Sequence, residues 1–567
     1  MNPKNHFRLF NSILFTFALV FSIAGQTPSN SFNRVRTFDI QNYVLRTNFE
    51  PSSKTVFGDA TVSLKPLKNE FRFFELDAAG LKFESVKLEN SGADLIYKTA
   101  DNKIFITLDK LYSSSDVISV RFRYSAQPRK GIYFIEEQKE DGKVVRDAQI
   151  WTQGEPEEAR YWFPSYDFPD DKATSEQFIT VKKGQTAIAN GELIEIIENS
   201  NQTKTFHYRM PVPHSTYLTS FVIGTYTKIS DSYKSIPLAY YVYTDRTSIV
   251  PKAFGRTKDM MRAFEELTKV DFPFNKYDQT IVANFTFGGM ENVTATTMAD
   301  TEIFLADLEF AKAGVEDLVA HELAHSWFGN LVTCTNWAEL WLNEGFATFM
   351  EAAFREKVYG RRNYLNKIRS NAEQFMIDDL INKKKHGLFN VSAGNVDALF
   401  ENPSTTYQKG GAVIHTLRET VGTENFWKGI NIYLTRHKFQ NVETTDLKRV
   451  MEEVSGMNLE WFFAQWVYGT GHPKLNVKQI YNQQTKVLEL TVSQIQSSGN
   501  STPAAFVLPL EIEITTPKGL VTQKLEIKKR LEKFSIKLDD KPSKIVFDKD
   551  EKIPLKRVNY EKLIVSQ

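Results

Sequence analysis

Cysteine is nearly absent from this chain, and charge of either sign is not in excess. Cys334 is the only cysteine, which excludes an intrachain disulfide, and its apolar neighbours indicate a small buried side chain rather than a nucleophile. The 70 basic and 69 acidic residues leave a formal net charge of +1, and no basic run stands out. Nucleic acid is therefore not an expected partner.

Long apolar runs are also missing, except at the N-terminus. Basic residues there precede an apolar run at residues 13–21, and Ser22 and Ala24 follow at the −3 and −1 positions of a cleavage site. We predict a signal peptide over residues 1–24, export to the periplasm or the medium, and no stable membrane span after cleavage. The alternative is a retained membrane anchor, but the run is short for a span, which takes about 20 residues.

Three regions of different periodicity follow. Short runs that alternate between apolar and polar residues extend from about residue 35 to 225. From about 250 to 470 apolar residues recur every three to four positions, as in amphipathic helices, and alternation then returns. We predict a multidomain α+β fold, with an N-terminal β-sandwich at 30–228, a mostly helical domain at 229–472 and a small C-terminal β-sandwich at 473–560.

Histidine is scarce, yet two of the nine lie one helical turn apart in "HELAH". On a helix, His321 and His325 share a face and can aim their imidazoles at one point. Two imidazoles and one carboxylate form a catalytic zinc site whose fourth position is open to water. Glu322, beside the first histidine, is then the candidate base for that water.

The third ligand is expected from a second helix. Glu344 follows His325 after eighteen intervening residues, within "WLNEGFATFME", which we interpret as an amphipathic helix that returns to the imidazoles. We predict one zinc ion per chain, bound by His321, His325 and Glu344. Glu339 and Glu351 on the same helix are candidates to orient the imidazoles, and the alternative is that they are ordinary surface acids.

These segments, with "HSWFGN", "GGMEN" and "STTYQKGG", closely resemble the M1 family of zinc aminopeptidases, which are gluzincins of the aminopeptidase N type. The resemblance extends from about residue 35 to 557. It implies that the helical domain is thermolysin-like and that "GGMEN" lies on an edge strand, where its glutamate meets the free α-amine of a peptide. That segment comprises Gly288, Gly289, Met290, Glu291 and Asn292.

The resemblance implies three further site residues. Gln153 and Glu155, in "WTQGEPEEARYW", are expected at the cleft, with Glu155 and Glu291 sharing one ammonium group. Tyr407 is expected to donate a hydrogen bond to the oxyanion that forms in the transition state. Arg160, in the same segment as Glu155, is expected to pair with a nearby acid.

The implied function is zinc-dependent removal of the N-terminal residue from peptides that have a free N-terminus. Glu322 is the general base, and Tyr407 stabilises the oxyanion. Larger relatives carry a long helical C-terminal domain, which we expect to be absent here. Two alternatives stay open: an epoxide-opening hydrolase, which an epoxide substrate would reveal, and a non-catalytic scaffold, which would not release an aminoacyl chromogenic group. The sequence does not indicate which substrate side chain is preferred or what the oligomeric state is.

Overall fold

The computed structural model describes residues 32–499 and 501–567, so the predicted signal peptide at 1–24 lies outside the described residues. Within them, strands come first, helices dominate the middle and strands return at the end. The predicted order of a β domain, a mostly helical domain and a second β domain is confirmed. No helix in these two stretches is both long and apolar enough to cross a bilayer.

The N-terminal region consists of β-sheets. Its strands are β1 (Phe38–Glu50), β2 (Thr55–Pro66), β3 (Phe71–Asp77), β4 (Lys82–Leu88), β5 (Ile96–Ala100), β6 (Lys103–Tyr112), β7 (Ile118–Ala126), β8 (Ile132–Ile135), β9 (Gln138–Glu140), β10 (Lys143–Arg146), β11 (Gln149–Thr152), β12 (Ala173–Lys182), β13 (Thr186–Ala189), β14 (Glu192–Glu198), β15 (Thr203–His214) and β16 (Phe221–Gly224). A seven-stranded sheet has the order β14-β15-β12-β1-β2-β7-β4, and β13-β16-β11-β8 form a smaller sheet. Alternate residues of β7, including Val120 and Phe122, are fully buried because one face of the large sheet covers the core.

The middle region combines helices with one five-stranded sheet. Its elements are β17 (Thr227–Tyr233), β18 (Ile236–Val242), α1 (Val250–Ala253), α2 (Thr257–Thr268), β19 (Tyr277–Val282), β20 (Gly289–Met290), β21 (Ala295–Ala299), α3 (Asp300–Ile303), α4 (Lys312–Ala324), β22 (Thr333–Cys334), α5 (Trp341–Tyr359), α6 (Arg361–Ile381), α7 (Gly410–Val421), α8 (Thr423–Arg436), β23 (Asn441–Val442), α9 (Thr444–Ser455) and α10 (Glu460–Phe463). The sheet order is β17-β18-β19-β21-β20, so "GGMEN" begins on an edge strand.

Helix α5 differs from its prediction. Every residue from Trp341 to Phe354 is buried, because α4, α6 and α7 pack around the helix from different sides. The predicted helix is confirmed, but the prediction that it is amphipathic is wrong. A helix buried on all sides has no solvated face, so its polar residues need partners inside the protein. Asn343, Glu344 and Glu351 are such residues.

The C-terminal region is a small two-sheet unit. Its strands are β24 (Lys474–Asn482), β25 (Val487–Gln494), β26 (Leu508–Thr516), β27 (Gly519–Ile527), β28 (Leu531–Lys537), β29 (Lys544–Phe547), β30 (Arg557–Tyr560) and β31 (Ile564–Ser566). One sheet has the order β28-β25-β24-β30, with β31 also on β24, and the other is β27-β26-β29. The domain boundaries stay predictions, although β17, which begins at Thr227, already belongs to the middle sheet.

Buried hydrogen bonds join the N-terminal β region to the middle sheet. Trp151 Nε1 donates to the Ala283 carbonyl at 3.1 Å, and Gln149 Oε1 accepts from the Ala283 amide at 3.0 Å. Lys276 Nζ donates to the Ala189 carbonyl at 2.8 Å. Because Gln149 and Trp151 lie on β11, these contacts fix the end of β11 beside β19. The residues that follow β11 then lie near the edge strand β20.

Candidate active site

The two histidines and Glu344 lie where two helix ends meet. His321 is in the last turn of α4, His325 caps that helix, and Glu344 is in the first turn of α5. The partial charges at helix ends favour a carboxylate at the N-terminus of α5 and an imidazole at the C-terminus of α4. Asn336 starts the turn before α5 by accepting a hydrogen bond from the Ala338 amide at 2.9 Å.

Both imidazoles direct Nε2 toward Glu344. The Glu344 Oε2 atom lies 3.2 Å from His321 Nε2 and 3.4 Å from His325 Nε2. The Nδ1 atoms are held from behind, His321 by Glu351 Oε1 at 2.8 Å and His325 by the Phe328 carbonyl at 2.9 Å. The second ring nitrogens are thereby engaged, and the Nε2 atoms are left to act as ligands.

This donor set fits a zinc ion. One ligand atom from each of His321, His325 and Glu344 lies within 4.8 Å of the others. In tetrahedral zinc sites with bonds of about 2.0–2.1 Å, ligand atoms are about 3.3–3.4 Å apart, close to the two distances above. Burial opposes ionisation of Glu344, but the imidazoles against it lower the pKa of its carboxyl to about 2. The carboxylate is therefore ionised, as a metal ligand must be.

Glu322 lies beside this centre, packed against the edge strand β20. A Cβ atom on Gly289 would stand only 2.1 Å from Glu322 Oε1, so the carboxylate occupies the space that a side chain at 289 would need. Burial raises the pKa of Glu322 to about 8. Its Oε2 atom is buried without a hydrogen-bond partner among the described residues. Glu322 therefore presents an oxygen that no other described side chain occupies, at the edge of the candidate metal site.

Glu155 and Glu291 lie together, although 136 residues separate them in the sequence. Ligand atoms of Glu155, Glu291 and Glu344 lie within 4.8 Å of one another. Burial raises the pKa of Glu155 well above its usual value, with Glu291 next in effect, and burial also raises the pKa of Glu291. Each has a buried Oε1 without a hydrogen-bond partner in the described chain. Two such carboxylates favour a bound cation.

The neighbouring residues tie the two carboxylates to the fold. Gln153 Nε2 lies 3.1 Å from Met290 Sδ, across the contact between the β region and the edge strand. Asn330 Nδ2 donates to the Glu291 carbonyl at 2.9 Å. Gly288 has a φ of +86°, which favours glycine, and Asn292 Nδ2 donates to Thr297 Oγ1 at 3.1 Å.

Tyr407 faces the imidazoles from a π-helical turn at Thr405–Lys409. Its ring stacks on His321, with centroids 5.9 Å apart and 15° between the planes. The close approach of α5 and α7 brings this turn near, since a Cβ on Gly345 would stand 3.1 Å from Gly410 Cα. Burial, followed by the charge of Glu344, raises the pKa of Tyr407 well above its usual value, so the phenol keeps its proton.

Most of the predicted site residues line one cavity of about 740 Å³. Among the predicted site residues, only Gly288 and Asn292 are not part of its lining. No lysine or arginine lines it in the part of the chain that the structure describes. Glu351, predicted as a candidate to orient an imidazole, also lines the cavity and lies 2.8 Å from His321 Nδ1. The sequence did not identify nine other lining residues, namely Thr286, Phe287, Leu318, Gln374, Asp378, Phe400, Pro403, Ser404 and Gln408. Phe287 adjoins "GGMEN" and was within reach of sequence reasoning, whereas the α6 residues carry no motif.

Models of known protein families match most of this chain. Residues 252–466 match the Peptidase family M1 domain, and residues 39–218 match the Peptidase M1 N-terminal domain. The chain belongs to peptidase family M1. The resemblance stated from the sequence is confirmed, and residues 470–564 of this M1 chain match the TAF2 Ig-like domain.

Relatives of this M1 chain are called aminopeptidases. Aminopeptidase 2 of Candida albicans is 25% identical over 478 residues, which cover 82% of this chain and 51% of the relative. Probable aminopeptidase 2 of Sulfurisphaera tokodaii is 29% identical over 481 residues, covering 84% and 58%. Aminopeptidase N of Streptomyces lividans is 33% identical over 346 residues, covering 58% and 39%. The chain thus spans about half the length of these curated relatives.

Three other residues considered in the sequence analysis of this M1 chain have structural roles. Glu339 does not reach an imidazole, because its Oε2 accepts a hydrogen bond from Thr444 Oγ1 at 2.5 Å. Arg160 pairs with Asp167, as expected, at 3.0 Å. Cys334 is fully buried, and burial raises the pKa of its thiol well above the usual value, which agrees with a packing role.

Proposed function

We propose that this chain is a zinc-dependent aminopeptidase that removes the N-terminal residue from peptides with a free N-terminus. The observation that carries the proposal is the pair of buried Oε1 atoms of Glu155 and Glu291, which lack partners among the described residues and adjoin the ligand set. An ammonium group can donate hydrogen bonds to both carboxylates and offset part of their charge, whereas an internal peptide bond carries no charge. This pairing favours an exopeptidase over an endopeptidase.

One zinc ion per chain is proposed, held by His321, His325 and Glu344. When bound, zinc supplies a Lewis acid that polarises the scissile carbonyl and acidifies water. The short Nε2 to Oε2 distances and the engaged Nδ1 atoms support this assignment.

The remaining steps belong to the protein's own side chains. Glu155 and Glu291 bind the ammonium group and align the first peptide bond. Glu322 accepts a proton from the attacking water and passes it to the departing amine. The Tyr407 hydroxyl donates a hydrogen bond to the oxyanion of the tetrahedral intermediate. No covalent bond to the enzyme is required.

The first test compares matched peptides with free and N-acetylated amines. Acetylation removes the positive charge and leaves two buried carboxylates unpaired, so kcat/KM is expected to fall by at least about a thousandfold. Glu291→Ala is expected to reduce both the rate and this discrimination. Comparable cleavage of both peptides by the wild type would identify an endopeptidase instead.

The second test concerns the base. Glu322→Gln is expected to retain zinc and to lose about 100- to 10,000-fold in kcat, since an amide cannot accept the proton. Glu339→Gln is the matched control, because Glu339 is also a buried glutamate of this segment but contacts Thr444. The control is expected to retain turnover. Full activity in zinc-loaded Glu322→Gln protein would assign the base to another group.

Export is a separate proposal, supported by the sequence of residues 1–24 alone. Basic residues, an apolar run and Ala24 at a small-residue site are typical of a cleaved signal peptide. N-terminal sequencing of the protein from an exporting host is expected to begin at Gly25. An intact N-terminus on membrane-associated protein would favour the anchor.

A further inference from the structure

Behind the His321 imidazole, a single ammonium group lies between carboxylates from two other helices. Lys367, on α6, places Nζ 2.8 Å from Asp317 Oδ2 and 2.6 Å from Glu351 Oε2. Asp317 belongs to α4 and Glu351 to α5, and all three side chains are largely buried. Lys367 therefore links the two helices that carry the proposed metal ligands.

Glu351 uses its two oxygens for different partners. Oε1 faces His321 Nδ1 at 2.8 Å, and Oε2 faces Lys367 Nζ. An ionised carboxylate only accepts hydrogen bonds, so Nδ1 carries a proton, and Nε2 is directed at Glu344 Oε2, 3.2 Å away. The ammonium stabilises that ionised form and restricts rotation of the carboxylate.

The rest of the network fixes Lys367 itself. Asp317 lies one helical turn before His321 on α4, and Arg355 binds its two oxygens at 2.7 and 2.6 Å. Two cations therefore balance two carboxylates, and each carboxylate has a partner on another helix. Because Lys367 does not line the cavity, its contacts are not needed to bind substrate directly.

We propose that Lys367 is a positioning residue that sets zinc affinity through Glu351 and His321. The inference rests on the proposed zinc site. The competing interpretation is that the ion pairs only hold α4, α5 and α6 together. The two interpretations differ in the expected zinc affinity. A positioning residue, when replaced, weakens zinc binding by more than the loss of folding stability explains.

The test is the zinc dissociation constant of the purified full chain, measured by competition with a chromogenic chelator. Lys367→Met, which keeps the length of the side chain but removes the charge, is expected to weaken zinc binding by about 10- to 100-fold. Lys367→Arg should restore most of the affinity, since a guanidinium can bridge both carboxylates. In NMR spectra of zinc-loaded protein labelled at histidine with ¹⁵N, the chemical shift of the His321 Nδ1 proton should differ between Lys367→Met and the wild type.

Lys556→Met is the matched control. Lys556 belongs to the C-terminal region and has a largely buried side chain. Its Nζ lies 2.8 Å from both Asp548 Oδ2 and the Ile553 carbonyl. Its loss should lower thermal stability and leave zinc affinity unchanged. If Lys367→Met does not fold, Lys367→Gln and Glu351→Gln provide the same comparison, because each removes one charge and keeps a polar group.

The outcomes are distinct. Weaker zinc binding in Lys367→Met, with rescue by arginine and no change in Lys556→Met, supports positioning. A zinc affinity within twofold of wild type overturns it and leaves a structural role. A wild-type chain that binds no zinc would overturn the proposed metal site as well as this inference, so the two failures can be told apart.

Discussion

Replacing Gly289 with alanine tests the geometry of the proposed base more sharply than changing the base itself. The added Cβ would stand 2.1 Å from Glu322 Oε1, 2.3 Å from Cδ and 2.6 Å from Cγ. Contacts shorter than 3.0 Å essentially never occur for real Cβ atoms, so the carboxylate must retreat by about 1 Å. All three atoms belong to one flexible side chain, so the displacement falls on Glu322 and not on the backbone.

Gly289→Ala is expected to lower the rate strongly and to change the stability little. Moving a catalytic group by about 1 Å costs about 100-fold, equivalent to about 2.7 kcal/mol of activation free energy. Gly289 does not have a positive φ, so alanine is compatible with the backbone, and the unfolded chain loses a little entropy. We expect kcat to fall about 100-fold, with full zinc content and nearly unchanged Tm.

The assay is hydrolysis of an aminoacyl chromogenic substrate, with kcat and KM measured separately. Gly314→Ala is the control, since it lies on α4 with Glu322 and a Cβ there meets nothing within 4 Å. In the Glu322→Gln variant, adding Gly289→Ala should lower kcat little further, because the displaced side chain no longer acts as a base. A Gly289→Ala enzyme with full zinc and kcat within threefold of wild type would refute the reasoning.

Two other expectations concern residues of the "STTYQKGG" segment. Tyr407→Phe should lower kcat by about 100- to 1000-fold and change KM much less, because the hydroxyl's partner exists mainly in the transition state; an unchanged kcat would assign Tyr407 to packing. Lys409 is fully buried with Nζ 2.9 Å from the Gly469 carbonyl, and burial lowers its pKa from 10.5 to about 8. The buried charge therefore destabilises the folded state fully below pH 8, and this cost falls as the pH rises toward 10.5. Lys409→Met removes the charge and should be more stable than the wild type. Urea unfolding should show this gain to be larger at pH 7 than at pH 10, by up to about 3 kcal/mol. An equal difference at both pH values would contradict this.

The metal ligand set was predictable because its spacing is local. His321 and His325 lie one turn apart, and Glu344 is near enough in sequence for a helical hairpin to return it. The meeting of Glu155 with Glu291 came only from the resemblance, since nothing in periodicity joins segments so far apart. Their proximity depends on how two sheets pack.

Other features could not be inferred because they depend on tertiary packing. The apolar positions of α5 indicated one buried face, but the other faces are covered by helices distant in sequence, which periodicity does not report. The contact of Glu322 with Gly289 joins a helix to an edge strand, and Lys367 reaches the site from α6 without a motif. Such contacts follow from the fold and not from spacing.

The contact between Gln153 and Met290 crosses from one domain to the other, with Glu155 on one side and Glu291 on the other. The proposed hydrolytic groups all lie between residues 321 and 407, whereas half of the ammonium site is encoded before residue 160. Exchange of the first part of the gene would therefore replace one of the two carboxylates of the proposed ammonium site and leave the proposed hydrolytic groups unchanged.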